Sequence, residues 1–410
     1  MTRRGREAVP QPGPWVRDVV REVLEAYRRA PLDRPRELVA YVEIVLGELE
    51  HRPGPVTEGA RDRGGGAVRI FTSTGAMSAR KWPVPVVDTV GDLASWLGLS
   101  DAELLWFADV RSYARLASEP LLHYRYAWLP RRVGPPRLLE MPKPRLKAIQ
   151  RQILHAILDL IPAHPAAHAF VGGRSALTNA TAHVDRPVVV CLDLRNFFAA
   201  VQAGRVYGIF RTAGYPEAVA HALTGLCTTV APQAVRALAA DPLRRALATP
   251  HLPQGAPTSP ALANLVAFRL DRRLAGLAEA CRATYTRYAD DLAFSGDLHQ
   301  TAGRLLKTAR KIAADEGFSL HDGKTRFMTR GGRQRVTGVV VNARPNVARE
   351  EYDALRALLH DARLHGPDAA NRTGQEDFRA HVLGRVAWIG ALNPSRGVRL
   401  RAQLENVTWD

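Results

Sequence analysis

The sequence predicts an α+β protein built around a small antiparallel sheet with carboxylates at its strand ends. Two observations predict this class. Short β-type runs flank an acidic turn in Thr286-Arg-Tyr-Ala-Asp-Asp-Leu-Ala-Phe-Ser-Gly296. Apolar strand-like runs also alternate with longer helical patterns at 154–160, 205–230, 261–278 and 301–316, as expected for helices laid against a sheet.

The acidic turn comes first. Thr284-Tyr-Thr-Arg-Tyr288 and Leu292-Ala-Phe294 are β-branched or aromatic at alternate positions and read as two strands. A hairpin there lifts Asp290 and Asp291 to its tip, where they can hold a divalent cation. An Asp pair also suits a plain turn, so its meaning depends on its company. That company is Pro187-Val-Val-Val-Cys-Leu-Asp-Leu-Arg-Asn-Phe-Phe198. Val188 to Leu192 is wholly apolar, the pattern of a strand covered on both faces, and it ends in Asp193. A carboxylate at that point is costly to bury unless paired or metal-bound; capping a helix that begins near Leu194 is the other reading. Three carboxylates on adjacent strand ends suit two hard, oxygen-seeking cations. Mg²⁺ is the expected choice because substrate phosphates complete its octahedron. Such a pair of ions activates an attacking hydroxyl and stabilises the leaving oxygen of an in-line phosphoryl displacement. In the helix at 301–316, Leu305, Leu306, Ala309 and Ile312 share a face and are expected to pack on the sheet.

These motifs resemble a known family. Tyr288-Ala-Asp-Asp291 and Asp193 with Phe197-Phe198 look like the palm motifs of reverse transcriptases. Between them, His251-Leu-Pro-Gln-Gly-Ala-Pro-Thr-Ser-Pro-Ala-Leu-Ala-Asn264 resembles the segment that contacts the incoming nucleotide and the templating strand. Order and spacing match as well. The resemblance implies a right-hand polymerase of fingers, palm and thumb, with an antiparallel palm sheet. It makes Asp193, Asp290 and Asp291 the catalytic carboxylates and the ligands of two Mg²⁺ ions, with Asp193 and Asp290 binding both. Phe198 matches the aromatic gate that clashes with a ribose 2′-hydroxyl, whereas Phe197 is expected in the core. Gln254 matches the residue that packs on the incoming sugar and base. Gly255 permits close backbone approach, and Pro253, Pro257 and Pro260 stiffen the loop.

Leu320-His-Asp-Gly-Lys-Thr-Arg326 resembles the family's lysine-bearing loop. Lys324 is thereby either the general acid that protonates the pyrophosphate leaving group or a surface lysine. Arg137-Leu-Leu-Glu-Met-Pro-Lys-Pro-Arg-Leu-Lys-Ala-Ile-Gln150, followed by an amphipathic helix over Arg151–Leu160, resembles the fingers segment. There Arg137, Lys143 and Arg145 are candidates to reach the triphosphate, and a solvated basic face is the alternative.

Two short segments resemble the signatures of one branch of the family, the retron reverse transcriptases. They are Asn179-Ala-Thr-Ala-His183 and Val336-Thr-Gly338. Read plainly, the first is a polar connection and the second a strand entered through a glycine bend. Read through the resemblance, Asn179, His183, Val336, Thr337 and Gly338 recognise a structured noncoding RNA that serves as template and primer. The implied product is a branched single-stranded DNA made from dNTPs, and the implied setting is antiphage defence. The tail holds no nuclease or protease pattern, so any effector activity is expected on a separate protein. A group II intron-like or abortive-infection reverse transcriptase is the alternative within this chemistry, and a catalytically idle RNA-binding scaffold the alternative outside it.

Composition agrees with a polyanionic partner: the 410 residues carry a formal charge of +17. Basicity alone does not separate nucleic acid from an anionic membrane, but no segment approaches a membrane span. The paired arginines near the start lack the apolar run of an export signal, and widely spaced Cys191, Cys227 and Cys281 fit a reducing cytoplasm. The expected organisation begins with an N-terminal helical extension (1–50), with helices from Pro14 to Ala30 and Arg34 to Leu49, and a Pro/Gly-rich linker (51–85). Entry helices and fingers (86–185) follow, including helices at Thr89 to Leu97 and Asp101 to Phe107. A palm with fingers insertions (186–345) and a helical thumb (346–410) complete the chain.

Overall fold

The computed structural model describes residues 77–109, 121–131 and 134–409. The helices expected at 14–30 and 34–49 lie outside these residues, as do residues 51–76 of the linker expected at 51–85. The described chain forms two compact units. The first comprises the residues up to Leu160 together with Ala203–Ala256; the second comprises Ile161–Gln202 and the chain from Pro257 onward. The segment expected as 86–185 is therefore shared between them.

The first unit opens with α1 (Val90–Leu97) and α2 (Asp101–Phe107). Each begins with a capping box, Thr89 with Asp92 and Ser100 with Glu103, which satisfies two otherwise orphaned amides. Strands β1 (Tyr124–Leu129) and β2 (Arg137–Pro142) form an antiparallel pair. Helix α3 (Pro144–Ala156) starts on a proline, whose missing amide costs nothing at that position, and ends before a 3₁₀ turn at Leu158–Leu160. The helix expected over Arg151–Leu160 thus begins earlier and stops sooner.

The chain then supplies α4 (Ala176–Thr181) and β3 (Val188–Asp193) to the second unit. It returns to the first with α5 (Ala203–Thr212), α6 (Glu217–Cys227), α7 (Gln233–Ala237) and α8 (Leu243–Leu247). The single helix expected over 205–230 is two helices. Gly214 turns left-handed at φ +104° and Pro216 caps the second, so the first cannot run through.

The rest belongs to the second unit. Helices α9 (Ser259–Val266) and α10 (Phe268–Ala280) divide at Ala267 the helix expected over 261–278. The predicted hairpin follows as β4 (Thr284–Tyr288) and β5 (Asp291–Gly296), then α11 (Ala302–Asp315) and β6 (Arg326–Thr329). A small hairpin of β7 (Arg335–Val336) and β8 (Val339–Val340) leads to α12 (Arg349–His365), α13 (Pro367–Ala370), α14 (Phe378–Leu392) and α15 (Pro394–Glu405).

The main sheet has strand order β4-β5-β3-β6 and is antiparallel throughout. Its interior strand β3 is buried along its whole length, which explains the unbroken apolar run before Asp193. Val189, Cys191 and Ala293 face a core completed by Leu355 and Leu359 of α12, Val382, Val386 and Ile389 of α14, and Leu400 of α15. Helices α14 and α15 approach so closely that a Cβ on Gly397 would collide with the Cα of Gly390. Leu305, Ala309 and Ile312 of α11 are buried and Leu306 is half-buried.

Candidate active site

The predicted carboxylates meet at one end of the sheet. In the β3–β5 register Asp193 stands directly opposite Asp291. Tyr288 pairs with Asp291 across the β4–β5 hairpin, which leaves Ala289 and Asp290 as a two-residue loop. Ala289 takes φ +56°, a conformation that favours glycine and is strained for a residue with a Cβ. The loop is tied down, because the Leu194 amide donates to the Asp290 carbonyl at 2.8 Å. Asp193 therefore ends a strand and does not cap a helix. Burial, then the charges of Asp290 and Asp193, raise the Asp291 carboxyl from 3.8 to about 6. Three mutually repelling acids ask for a counter-cation.

Lys324 supplies one positive charge. It ends a 3₁₀ turn (Asp322–Lys324) anchored where the His321 amide donates to the Asp193 carbonyl at 2.8 Å. From there Nζ reaches Asp193 Oδ2 at 2.8 Å. Among the described residues, no three His, Cys, Asp or Glu side chains already form a metal cage. The donor chemistry nevertheless fits Mg²⁺: all three side chains offer hard oxygen, and an ammonium already sits on one of them. Asp193, Asp290 and Asp291 would hold the ions.

Five residues after Asp193, Phe198 is half-buried, with its ring 5.6 Å from that of Phe197. Phe197 is a core residue, stacked on Phe318 at 5.7 Å, as expected.

Sequence reasoning missed the network behind the hairpin. Arg287 is fully buried on β4. Its Nε and Nη2 donate to the two oxygens of Asp271 on α10 at 2.7 and 2.6 Å. Its Nη1 donates to Asn264 Oδ1 at 2.9 Å and to the Ala289 carbonyl at 3.2 Å. Tyr285 adds a hydrogen bond to Asp271 at 2.9 Å. A buried charge pair is tolerable only when bidentate and fully bonded, as here.

Gln254, Gly255, Arg137 and Lys143 belong to the first unit, around β2. The Gln254 carbonyl accepts from the Glu140 amide at 2.8 Å, and the Gln254 amide donates to Glu140 Oε2 at 3.3 Å. Gly255 takes φ +131°, and a Cβ there would press on the Glu140 carbonyl, so the close approach it permits is to β2. The Glu140 side chain is buried and faces the His251 ring, whose Nε2 lies 3.1 Å from Oε2. His251 Nδ1 contacts the Thr249 carbonyl at 2.7 Å. Burial depresses the affinity of His251 for a proton, but the Glu140 hydrogen bond and charge and the Thr249 carbonyl outweigh it and raise its pKa. Arg137 is exposed and Lys143 half-buried, whereas Arg145 is turned to the Gly98 carbonyl at 3.2 Å.

The two short signatures meet in space. Thr337 Oγ1 donates to the Ala176 carbonyl at the start of α4, at 3.2 Å, and Val336 is buried. Asn179 and His183 are also buried. His183 bonds Ser295 through Nδ1 and Thr286 through Nε2, both at 2.7 Å, and burial drives its pKa to about 3. A neutral imidazole clamped inside the sheet has no free edge for RNA. Here the expected contact gives way to a packing role, and Gly338 is the exposed member of the set.

Comparison with known proteins adds the decisive observation. The reverse transcriptase (RNA-dependent DNA polymerase) family matches residues 130–359. The chain is 42% identical over 327 residues to the retron Mx65 reverse transcriptase of Myxococcus xanthus, covering 78% of this chain and 72% of that one. It belongs to the retron-type reverse transcriptases. The retron Mx162 reverse transcriptase of Myxococcus xanthus is 38% identical over 334 residues, 78% of this chain and 67% of the other. The retron Ec86 reverse transcriptase of Escherichia coli is 32% identical over 225 residues, 55% and 64% respectively. This retron-type reverse transcriptase is accordingly an RNA-directed DNA polymerase, and its mixed helices and antiparallel sheets suit that class. Among its described residues no helix is long and apolar enough to cross a membrane.

Proposed function

We propose that the enzyme copies a structured noncoding RNA, which also primes synthesis, into single-stranded DNA by two-metal nucleotidyl transfer. One observation carries the chemistry: Asp193 faces Asp291 across β3 and β5, with Asp290 in the adjoining loop and Lys324 on Asp193. Bound Mg²⁺ would lower the pKa of the attacking hydroxyl and neutralise charge on the leaving pyrophosphate. Asp193 and Asp290 would hold both ions, with Asp291 completing the set. Lys324 delivers a proton to the departing pyrophosphate oxygen. Phe198 sets a rigid ring against the sugar and excludes a 2′-hydroxyl by steric clash.

For Gln254 and Gly255 we propose contact with the incoming nucleotide, and for Arg137 and Lys143 contact with its triphosphate. Their common setting around β2 and the charge of the two basic side chains support this. The β4-β5-β3-β6 sheet is read as the palm and helices α12 to α15 as the thumb. The RNA is recognised near Thr337 and Gly338. The DNA product serves antiphage defence in a cytoplasmic setting, with an effector on another chain.

The test is to purify the protein with the RNA transcribed beside its gene and supply labelled dNTPs and Mg²⁺. Labelled DNA attached to a single compact RNA is expected. DNA synthesis that survives Asp290→Ala with Asp291→Ala would remove these residues from the chemistry.

A further inference from the structure

Phe170 stands where the physics of folding offers no reason for a phenylalanine. Its backbone is left-handed, with φ +58°, and the residue is 53% exposed. A bulky residue rarely accepts that conformation, and glycine or asparagine would fill the position without strain. Exposure forfeits the burial that usually rewards a ring. The position is nonetheless rigidly held. On its N-terminal side, Ala169 is buried and its carbonyl accepts from Asn264 Nδ2 at 2.8 Å. The preceding residues are stitched to β4, because the Arg287 amide donates to the Ala166 carbonyl and the His168 amide to the Arg287 carbonyl, both at 2.8 Å. Arg174 closes the loop from the far side through the Ala167 carbonyl at 2.8 Å. The ring is thereby presented beside Phe198, with centroids 6.3 Å apart and planes at 50°.

We infer that Phe170 is a stacking platform for an unpaired base of the template strand. Two costs are borne at one residue, strain and exposure, and a pre-set aromatic face for a nucleobase is what they maintain. A template base is the natural occupant. The incoming base already stacks on the last pair and pairs with its complement, whereas the next template base has an uncovered face. Stacking on a phenyl ring covers it whatever the base, as a polymerase that reads every base requires. The inference rests on the reading that the face around Asp193 and Phe198 receives primed template.

The test uses the full-length protein and a primed RNA template carrying 2-aminopurine at one position after another beyond the primer terminus, without dNTPs. In the wild type, fluorescence is expected to be quenched at one template position. Phe170→Gly is expected to abolish that quenching and to weaken template binding about ten-fold, while the melting temperature stays equal or rises because strain is relieved. Phe170→Trp is expected to keep both quenching and affinity. Binding and quenching unchanged in Phe170→Gly would overturn the inference. So would a higher KM for dNTP with template binding unchanged, or a lower melting temperature as the sole effect. If the wild type itself fails to bind primed template, it is the reading of that face that falls first.

Discussion

Arg287 donates from Nη1 to the carbonyl of Ala289, so a buried guanidinium holds the strained loop that carries Asp290. Its other nitrogens are locked to Asp271. Arg287→Met should leave Asp271 buried without its counter-charge and destabilise the second unit by about 3–5 kcal/mol. Arg287→Met with Asp271→Leu removes both charges and should recover much of that loss in a denaturant melt. It should not recover activity, because the Ala289 carbonyl has still lost its donor. A double variant that is both stable and fully active would show that the contact does not position the hairpin.

Lys324 is half exposed, so its ion pair with Asp193 contributes little stability, about 0–1 kcal/mol. Its effect should appear in chemistry. Lys324→Met is expected to slow single-nucleotide incorporation by roughly 10²-fold or more, as loss of a general acid does. Lys324→Arg keeps the charge on Asp193 but cannot release a proton near neutral pH. Rapid-quench rates decide between the roles. Slow incorporation in both variants marks proton donation, whereas recovery in the arginine variant marks charge alone.

Phe198 is held beside Phe197, which stacks on Phe318 in the core, so the ring has limited room to yield. Phe198→Ala is expected to raise ribonucleotide incorporation by roughly ten-fold or more while changing deoxynucleotide incorporation much less. The competing rates on one primed template measure this directly. Equal exclusion of ribonucleotides in the variant would place the gate elsewhere.

What the sequence disclosed and what it hid follow from how each feature is encoded. The hairpin, the all-apolar β3 and Asp193 are written locally, in periodicity and turn chemistry, and the structure reproduces them almost residue for residue. The facing of Asp193 and Asp291 is a matter of register, which only the assembled sheet fixes. Arg287 was legible in principle. It shares a strand face with Tyr285, and Asp271 shares the buried helical stripe of Leu270, Leu274 and Ala278. Two opposite charges at apolar-phase positions predict each other, yet neither says where the partner lies. Glu140 and His251 are further apart in sequence and left no such trace. His183 was misleading for the opposite reason: a polar motif between elements looks exposed, and its two partners are hydroxyls on strands β4 and β5.

His251 gives the first unit a pH dependence. Its folded pKa is raised above 6.5 by Glu140 and the Thr249 carbonyl, against the pull of burial. A group with a raised folded pKa contributes stability that is fully present below its unfolded pKa and is lost as pH rises through the folded one. Thermal melts should therefore show stability declining as pH climbs above about 6.5. His251→Gln should lower stability at pH 6 and flatten that decline. Because Glu140 also holds the Gln254 amide, the same variant should raise the KM for dNTP if Gln254 meets the nucleotide. An unchanged slope in the variant would assign the pH dependence to another group.

Thr337 poses the converse question, whether strain is kept for function. With Gly338 it forms the two-residue loop between β7 and β8, both left-handed at φ +47° and +84°, the pattern that favours Asn-Gly. A β-branched residue is an outlier there. Thr337→Asn should relieve roughly 1–2 kcal/mol of conformational cost, offset by about 0.5–1.5 kcal/mol from the lost hydrogen bond to the Ala176 carbonyl. The melting temperature should therefore stay level or rise slightly. If this turn recognises RNA, affinity for the RNA transcribed beside the gene should fall in the same variant, and gel-shift titration would register it. A variant that is stable and binds that RNA as tightly as the wild type would reduce Thr337 to a tether between the hairpin and α4.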